Sequence, residues 1–211
     1  VQSGLYRVSY IGTEKTDPAK RTDFGLMIDD ALEERGMLEL LQSGQFADEL
    51  KKSKLNALDM FWHFLGYQDR HIRFAARIAL EHQPIASWKD KALNETNPRA
   101  ALTALMGLIR SSGGDKALQQ PVLAALNKID FKALKGLDRV TLVRDYMLAF
   151  TRMGEPDAAT KETLIKHLAP LFPTNDPALN RDLCEVLVYL GDASVVAKAE
   201  PLVNGSPTQE E

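Results

Sequence analysis

Two periods divide the chain. Residues 4–12, GLYRVSYIG, alternate: Tyr6, Val8 and Tyr10 fall on one side and Leu5, Arg7 and Ser9 on the other, the two-residue repeat of a strand. Residues 13–23, TEKTDPAKRTD, are polar, carry a proline and predict a linker. From about Leu26 the apolar positions return at helical spacing. Breakers recur at Gly36, Gly44, Gly66, Pro84, Asn97-Pro98, Gly113-Gly114, Gly136, Gly154, Pro173, Asp176-Pro177 and Gly191. The stretches between them run to roughly ten to seventeen residues, ordinary lengths for globular helices. No later segment alternates as a strand does, so the first strand has no partner. The pattern therefore predicts three parts. Residues 1–23 are an extended strand and linker left from a preceding domain, 24–205 are an all-α domain, and 206–211 are a disordered tail.

The helices also repeat. Asn97 opens NPRAALTALMGLIRSSG with Gly113 sixteen residues on; Asp138 opens DRVTLVRDYMLAFTRMG with Gly154 sixteen on; Asp176 opens DPALNRDLCEVLVYLG with Gly191 fifteen on. Each begins with a residue whose side-chain oxygen suits a helix N-cap and ends at a glycine suited to the left-handed C′ position. The starts lie 41 and 38 residues apart, close to the ~40–47-residue period of HEAT-type helix pairs. Units of this kind cannot bury their apolar faces alone, and stacking gives them one continuous core. The expected architecture is an α-solenoid of HEAT/armadillo-like helix pairs with a short N-terminal extended segment.

One stretch carries the side chains of an active site. Residues 69–84, DRHIRFAARIALEHQP, hold His71, His82, three arginines and Glu81. On a helix, Ile72, Ala76, Ala79 and Leu80 share one face, widened by Ala75 and Ile78. Asp69, Arg73, Arg77 and Glu81 are four apart and read as a ladder of opposite charges on the exposed side. His71 and His82 lack the i,i+4 spacing of a helical metal pair. The ladder needs no substrate to explain it. Arg73, Arg77, His82 and Trp88 are the candidate contact surface, where exposed polar groups and an aromatic cluster in sequence; Trp88 is expected to pack against the preceding helix while its indole N–H reaches a surface partner. His63, His82 and Trp88 are the candidates for a ligand pocket between helices.

The remaining residues add little chemistry. Phe61, Trp62, Phe64 and Tyr67 surround His63 in LDMFWHFLGY, whose apolar residues cover most of the helix and predict burial. Cys184, the single cysteine, lies beside a leucine stripe and reads as a small buried hydrophobe. His167 stands late in its helix, where a cation suits the dipole. Asp29-Asp30 and Glu33-Glu34 read as a solvated helix face. No nucleophile–base arrangement, phosphate loop, C-x-x-C pair or metal cluster appears, so neither catalytic residues nor a cofactor are assigned.

Charge narrows the partners. The 26 basic and 29 acidic residues are mixed along the chain and leave a net charge of −3. A protein gripping phosphates would concentrate its cations, so no nucleic acid is expected. No apolar run approaches the ~20 residues that cross a bilayer, so no membrane insertion is expected either.

The segments DRHIRFAARIALEHQPIASWKDKAL, PRAALTALMGLIRSSG and LNRDLCEVLVYLG resemble the HEAT-repeat segment of large multidomain proteins of planctomycetes and related bacteria. In that family the segment follows a β-propeller resembling glucose/sorbosone dehydrogenases, and a C-x-x-C-H cytochrome module follows further along. The resemblance implies a periplasmic or secreted protein. It also implies a non-catalytic scaffold or protein-interaction domain whose partners are neighbouring domains of the same polypeptide or another protein. It assigns GLYRVSYIG as the propeller's last strand and carries over no catalytic or haem-binding residue.

Overall fold

Short polar side chains set the helix starts. The Asn97 carboxamide oxygen accepts from the backbone N–H of Arg99 and Ala100, with Pro98 in the first turn where its missing N–H is harmless. Asp176 does the same for Ala178 and Leu179, ahead of Pro177, and Asp69 for His71 and Ile72. The computed structural model describes residues 7, 9–15, 23–43 and 56–205, and these carry ten α-helices and no strand. In order they are α1 (Asp23–Gln42), α2 (Ala57–Phe64), α3 (Arg70–Glu81), α4 (Lys89–Leu93), α5 (Pro98–Ser111), α6 (Gln119–Asn127), α7 (Leu137–Met153), α8 (Ala158–Leu168), α9 (Pro177–Leu190) and α10 (Ser194–Asn204).

Two expectations change. Arg7 and residues 9–12 of the expected strand are exposed and form no strand, while residues 4–6 and 8 lie outside the described part, as does the expected tail at 206–211. Asp138 is not a cap: α7 begins after Gly136, whose φ of 49° favours glycine, and Asp138 lies inside the first turn. Its carboxylate instead accepts from Nε and Nη2 of Arg99 on α5, at 3.0 and 2.7 Å. A neighbouring guanidinium has taken the oxygen that a free helix start would have used. Gly191 ends α9 in the left-handed region at φ 85°, as expected of a C-terminal glycine.

The helices pack as pairs in a regular order. α1 lies against α3, α3 against α5, α5 against α7 and α7 against α9. The intervening helices pack on these: α2 on α3, α4 on α5, α6 on α7, and α8 and α10 on α9. Burial shows the internal register. A shift of 41 residues carries Ala101, Ala104, Leu105, Leu108 and Ile109 of α5 onto Leu142, Asp145, Tyr146, Ala149 and Phe150 of α7. A shift of 37 then carries Leu142, Asp145, Tyr146, Ala149, Phe150 and Met153 onto Leu179, Asp182, Leu183, Val186, Leu187 and Leu190 of α9. Every one of these residues is buried. Alanines at 75, 76 and 79 of α3 and at 100, 101 and 104 of α5 are buried too, and their small side chains let the two helices approach closely.

Candidate functional site

Arginine–carboxylate pairs lie along the seams of the helices α3, α5, α7 and α9. Between α3 and α5, Arg77 and Arg110 both donate to one oxygen of Glu81, the Arg110 Nε at 2.9 Å. Between α5 and α7 stands Arg99–Asp138, and between α7 and α9 the Arg144 Nε donates to Asp182 Oδ2 at 2.7 Å. Arg73 turns its guanidinium onto the carbonyl oxygens of Tyr67 and Gln68 at 2.6 and 2.7 Å. Five arginines thus end on carboxylates or carbonyls and form no free cationic stripe for phosphates.

The expected contact surface is not assembled. Arg77 is 7% exposed and Trp88 1% exposed; Arg73 is half-buried, and only His82 is exposed. The charge ladder of α3 therefore faces neighbouring helices rather than water. The Trp88 ring packs into the core, deeper than a surface position, and its indole N–H donates to the Gln83 carbonyl at 3.3 Å. The His82 ring approaches the Ile78 carbonyl at 2.8 Å through Nδ1. His63 is exposed, its ring edge-on to Phe64. Phe61, Trp62 and Phe64 are buried as expected, with the Trp62 indole N–H donating to Glu95 at 2.5 Å and Lys91 4.7 Å from its ring. On α1, Asp30 and Glu33 are exposed as expected, whereas Glu34 is half-buried and accepts from the Tyr67 hydroxyl at 3.1 Å. Cys184 is half-buried at the edge of a groove rather than sealed in the core.

One group went unnoticed in the sequence. Asp145 of α7 is fully buried, and neither carboxyl oxygen has a hydrogen-bond partner among the described residues. Burial pushes its pKa well above the ordinary carboxylate range, while the positive charge of Arg77 opposes that rise. The folded state thus holds a proton that the unfolded chain releases near the ordinary value. Stability is full below that value and falls as pH rises towards the folded-state pKa, by up to about 1.4 kcal/mol per pH unit. Asp145→Asn keeps the shape of the protonated acid and cannot ionise. Other carboxylates titrate alike in both proteins, so the urea-unfolding free energy of the variant minus that of the parent is expected to grow as pH rises through that interval. A difference that does not change with pH would refute a buried neutral acid.

An apolar groove of about 500 Å³ lies between α9 and α10, bordered by Phe172, Asn180, Arg181, Cys184, Leu202 and Val203. Another of about 390 Å³ lies among α4, α5 and α6, and a third of about 310 Å³ continues along α9 and α10 past Val188 and Val196. None of the three is lined by His63, His82 or Trp88. Among the described residues no three or more His, Cys, Asp or Glu side chains are grouped to hold a metal, and no helix is long and apolar enough to cross a membrane.

Comparison with protein-family models, with curated proteins and with solved structures finds no match to this chain. The repeat-module reading rests on the chain's own geometry, and its exported, multidomain setting on the family resemblance of the sequence segments above.

Proposed function

We propose that this chain is a non-catalytic helical-repeat module, an α-solenoid of HEAT/armadillo-like pairs that serves as a structural scaffold or protein-interaction domain within a larger exported protein. The observation that carries this reading is the row α1–α3–α5–α7–α9. Successive members of it from α3 onward are joined by an arginine–carboxylate pair, and the burial pattern recurs at shifts of 41 and 37 residues. An array held by nearest-neighbour contacts presents long surfaces and needs no central pocket. The matched charges along the seams are what such a stack requires, since each pair fixes the register of one helix on the next. Asp145 is buried in that interior, and none of the three cavities above is lined by it.

Native-state hydrogen exchange on the full chain tests the architecture. Opening free energies are expected to be graded from pair to pair, with neighbours coupled. A single opening shared by every helix would count against a repeat array. A thermal-shift screen against small metabolites tests the role. No metabolite is expected to move Tm by more than a degree or two, and one that raises it strongly would favour a ligand-binding domain.

A further inference from the structure

The register shift of 37 residues sets the α7 residues beside α9 against the outer face of α9. Arg144 of α7 reaches Asp182 on α9, Phe150 stacks on Tyr189 with ring centres 5.1 Å apart, and Val140 and Val143 beside them are buried. Moved by 37, the α7 residues Val140, Val143, Arg144, Met147 and Thr151 become Pro177, Asn180, Arg181, Cys184 and Val188 of α9. Pro177 and Asn180 are exposed and half-buried where Val140 and Val143 are buried, whereas Arg181, Cys184 and Val188 match Arg144, Met147 and Thr151 as exposed, half-buried and exposed. The apolar grooves along α9 and α10 lie on this face, where Val188 is 59% and Val203 62% exposed. Arg181 has no ion pair among the described residues, although its counterpart Arg144 has one.

The opposite end of the row carries a complementary face. α1 turns Leu38 and Leu41 into the core and leaves Leu32 and Leu40 exposed, at 58% and 42%. Gly36 lies between those two leucines, with nothing within 4 Å of the place where its Cβ would stand. These three positions, four apart, make an apolar stripe with a notch at its centre. Asp30 and Glu33 are exposed on the same helix. This end supplies the carboxylates that Arg181 lacks.

We propose that a second copy of this chain docks its α1 against α9 and α10 of the first, continuing the row of helices head to tail. The Leu32–Gly36–Leu40 stripe covers Cys184 and Val188, and Glu33 takes the place opposite Arg181 that Asp182 holds opposite Arg144. The contact is heterologous, so every assembly keeps one free end of each kind and association propagates. This rests on the repeat reading above, and a graded exchange pattern would survive even if the chain proved monomeric.

Sedimentation velocity over a range of concentrations tests it, with two variants on exposed residues. Arg181→Glu blocks the α9 end and the double substitution Leu32→Asp, Leu40→Asp blocks the α1 end. The parent is expected to self-associate reversibly, and each variant alone to do so at least about tenfold more weakly. Mixed together, the two variants are expected to form a dimer and nothing larger, because each retains one intact end. Circular dichroism of each variant checks that its helices are kept, and Arg181→Ala with Leu40→Ser replaces any variant that loses them. A parent that stays monomeric, or association that either end-blocked variant leaves unchanged, would overturn the proposal.

Discussion

Replacing Glu81 with methionine is expected to destabilise the protein by about 3–5 kcal/mol, the range for breaking a buried ion pair by removing one partner. Methionine keeps much of the glutamate stem's bulk, so little of the effect is a cavity. The loss comes from Arg77, whose side chain is 8% exposed and whose guanidinium would be left without its carboxylate. Water cannot take over at that depth. Asp145 is the other acidic group facing Arg77, but charging it means ionising a fully buried acid. Arg110, at 39% exposure, can turn outward and contributes little to the cost. Converting both residues, Arg77→Met with Glu81→Met, removes the stranded charge and is expected to return stability to within about 1.5 kcal/mol of the parent. Both stems pack over Gly107 of α5, where an added Cβ would meet Arg77 Cγ at 3.5 Å and Glu81 Cγ at 3.7 Å. That contact is apolar and suits methionine. Urea unfolding at fixed pH measures all three proteins. A loss below about 1 kcal/mol for Glu81→Met would mean that the pair behaves as a surface ion pair.

Why this pair was read as a surface ladder shows what local pattern can and cannot supply. Four charges at intervals of four lie on one side of a helix whether that side meets water or another helix; the spacing fixes the face and not its neighbour. The caps were legible because their physics is local: Asn97, Asp176 and Asp69 each satisfy N–H groups two or three residues away. Asp138 looked like a cap for the same reason, but Arg99, 39 positions earlier, claims its carboxylate. The 41-residue spacing between the α5 and α7 segments reappears in the burial pattern. The 38 between Asp138 and Asp176 is 37 in the burial pattern. Asp145 did leave a signal: it is the one charged residue among the positions 142, 145, 146, 149, 150 and 153 that line the buried stripe. The groove beside Cys184 left none, since it is made by α10 and the 172–177 loop closing on α9.

The burial of Trp88 left no periodic trace either, because the residue lies between a short 3-10 turn and the five-residue α4. At 1% exposure it heads the fully buried side chains of the molecule by size. Trp88→Ala is therefore expected to cost about 3–5 kcal/mol, the range for emptying a large aromatic site in a packed core. The cavity would open where α3 hands the chain to α4, and α4 is short enough that packing rather than propensity must hold it. Trp88→Phe fills most of the space and leaves the Gln83 carbonyl without the indole donor, so its expected cost is smaller, about 1–2 kcal/mol. Trp62 is also buried, at 8% exposure. The parent's fluorescence is thus expected at short wavelength and poorly quenched by acrylamide, with Trp88→Phe removing the less quenchable component. Denaturant curves for the two variants decide the matter. If Trp88→Ala unfolds at the parent's midpoint, the tryptophan is a surface residue after all, and the seam between the first two helix pairs is not packed as described.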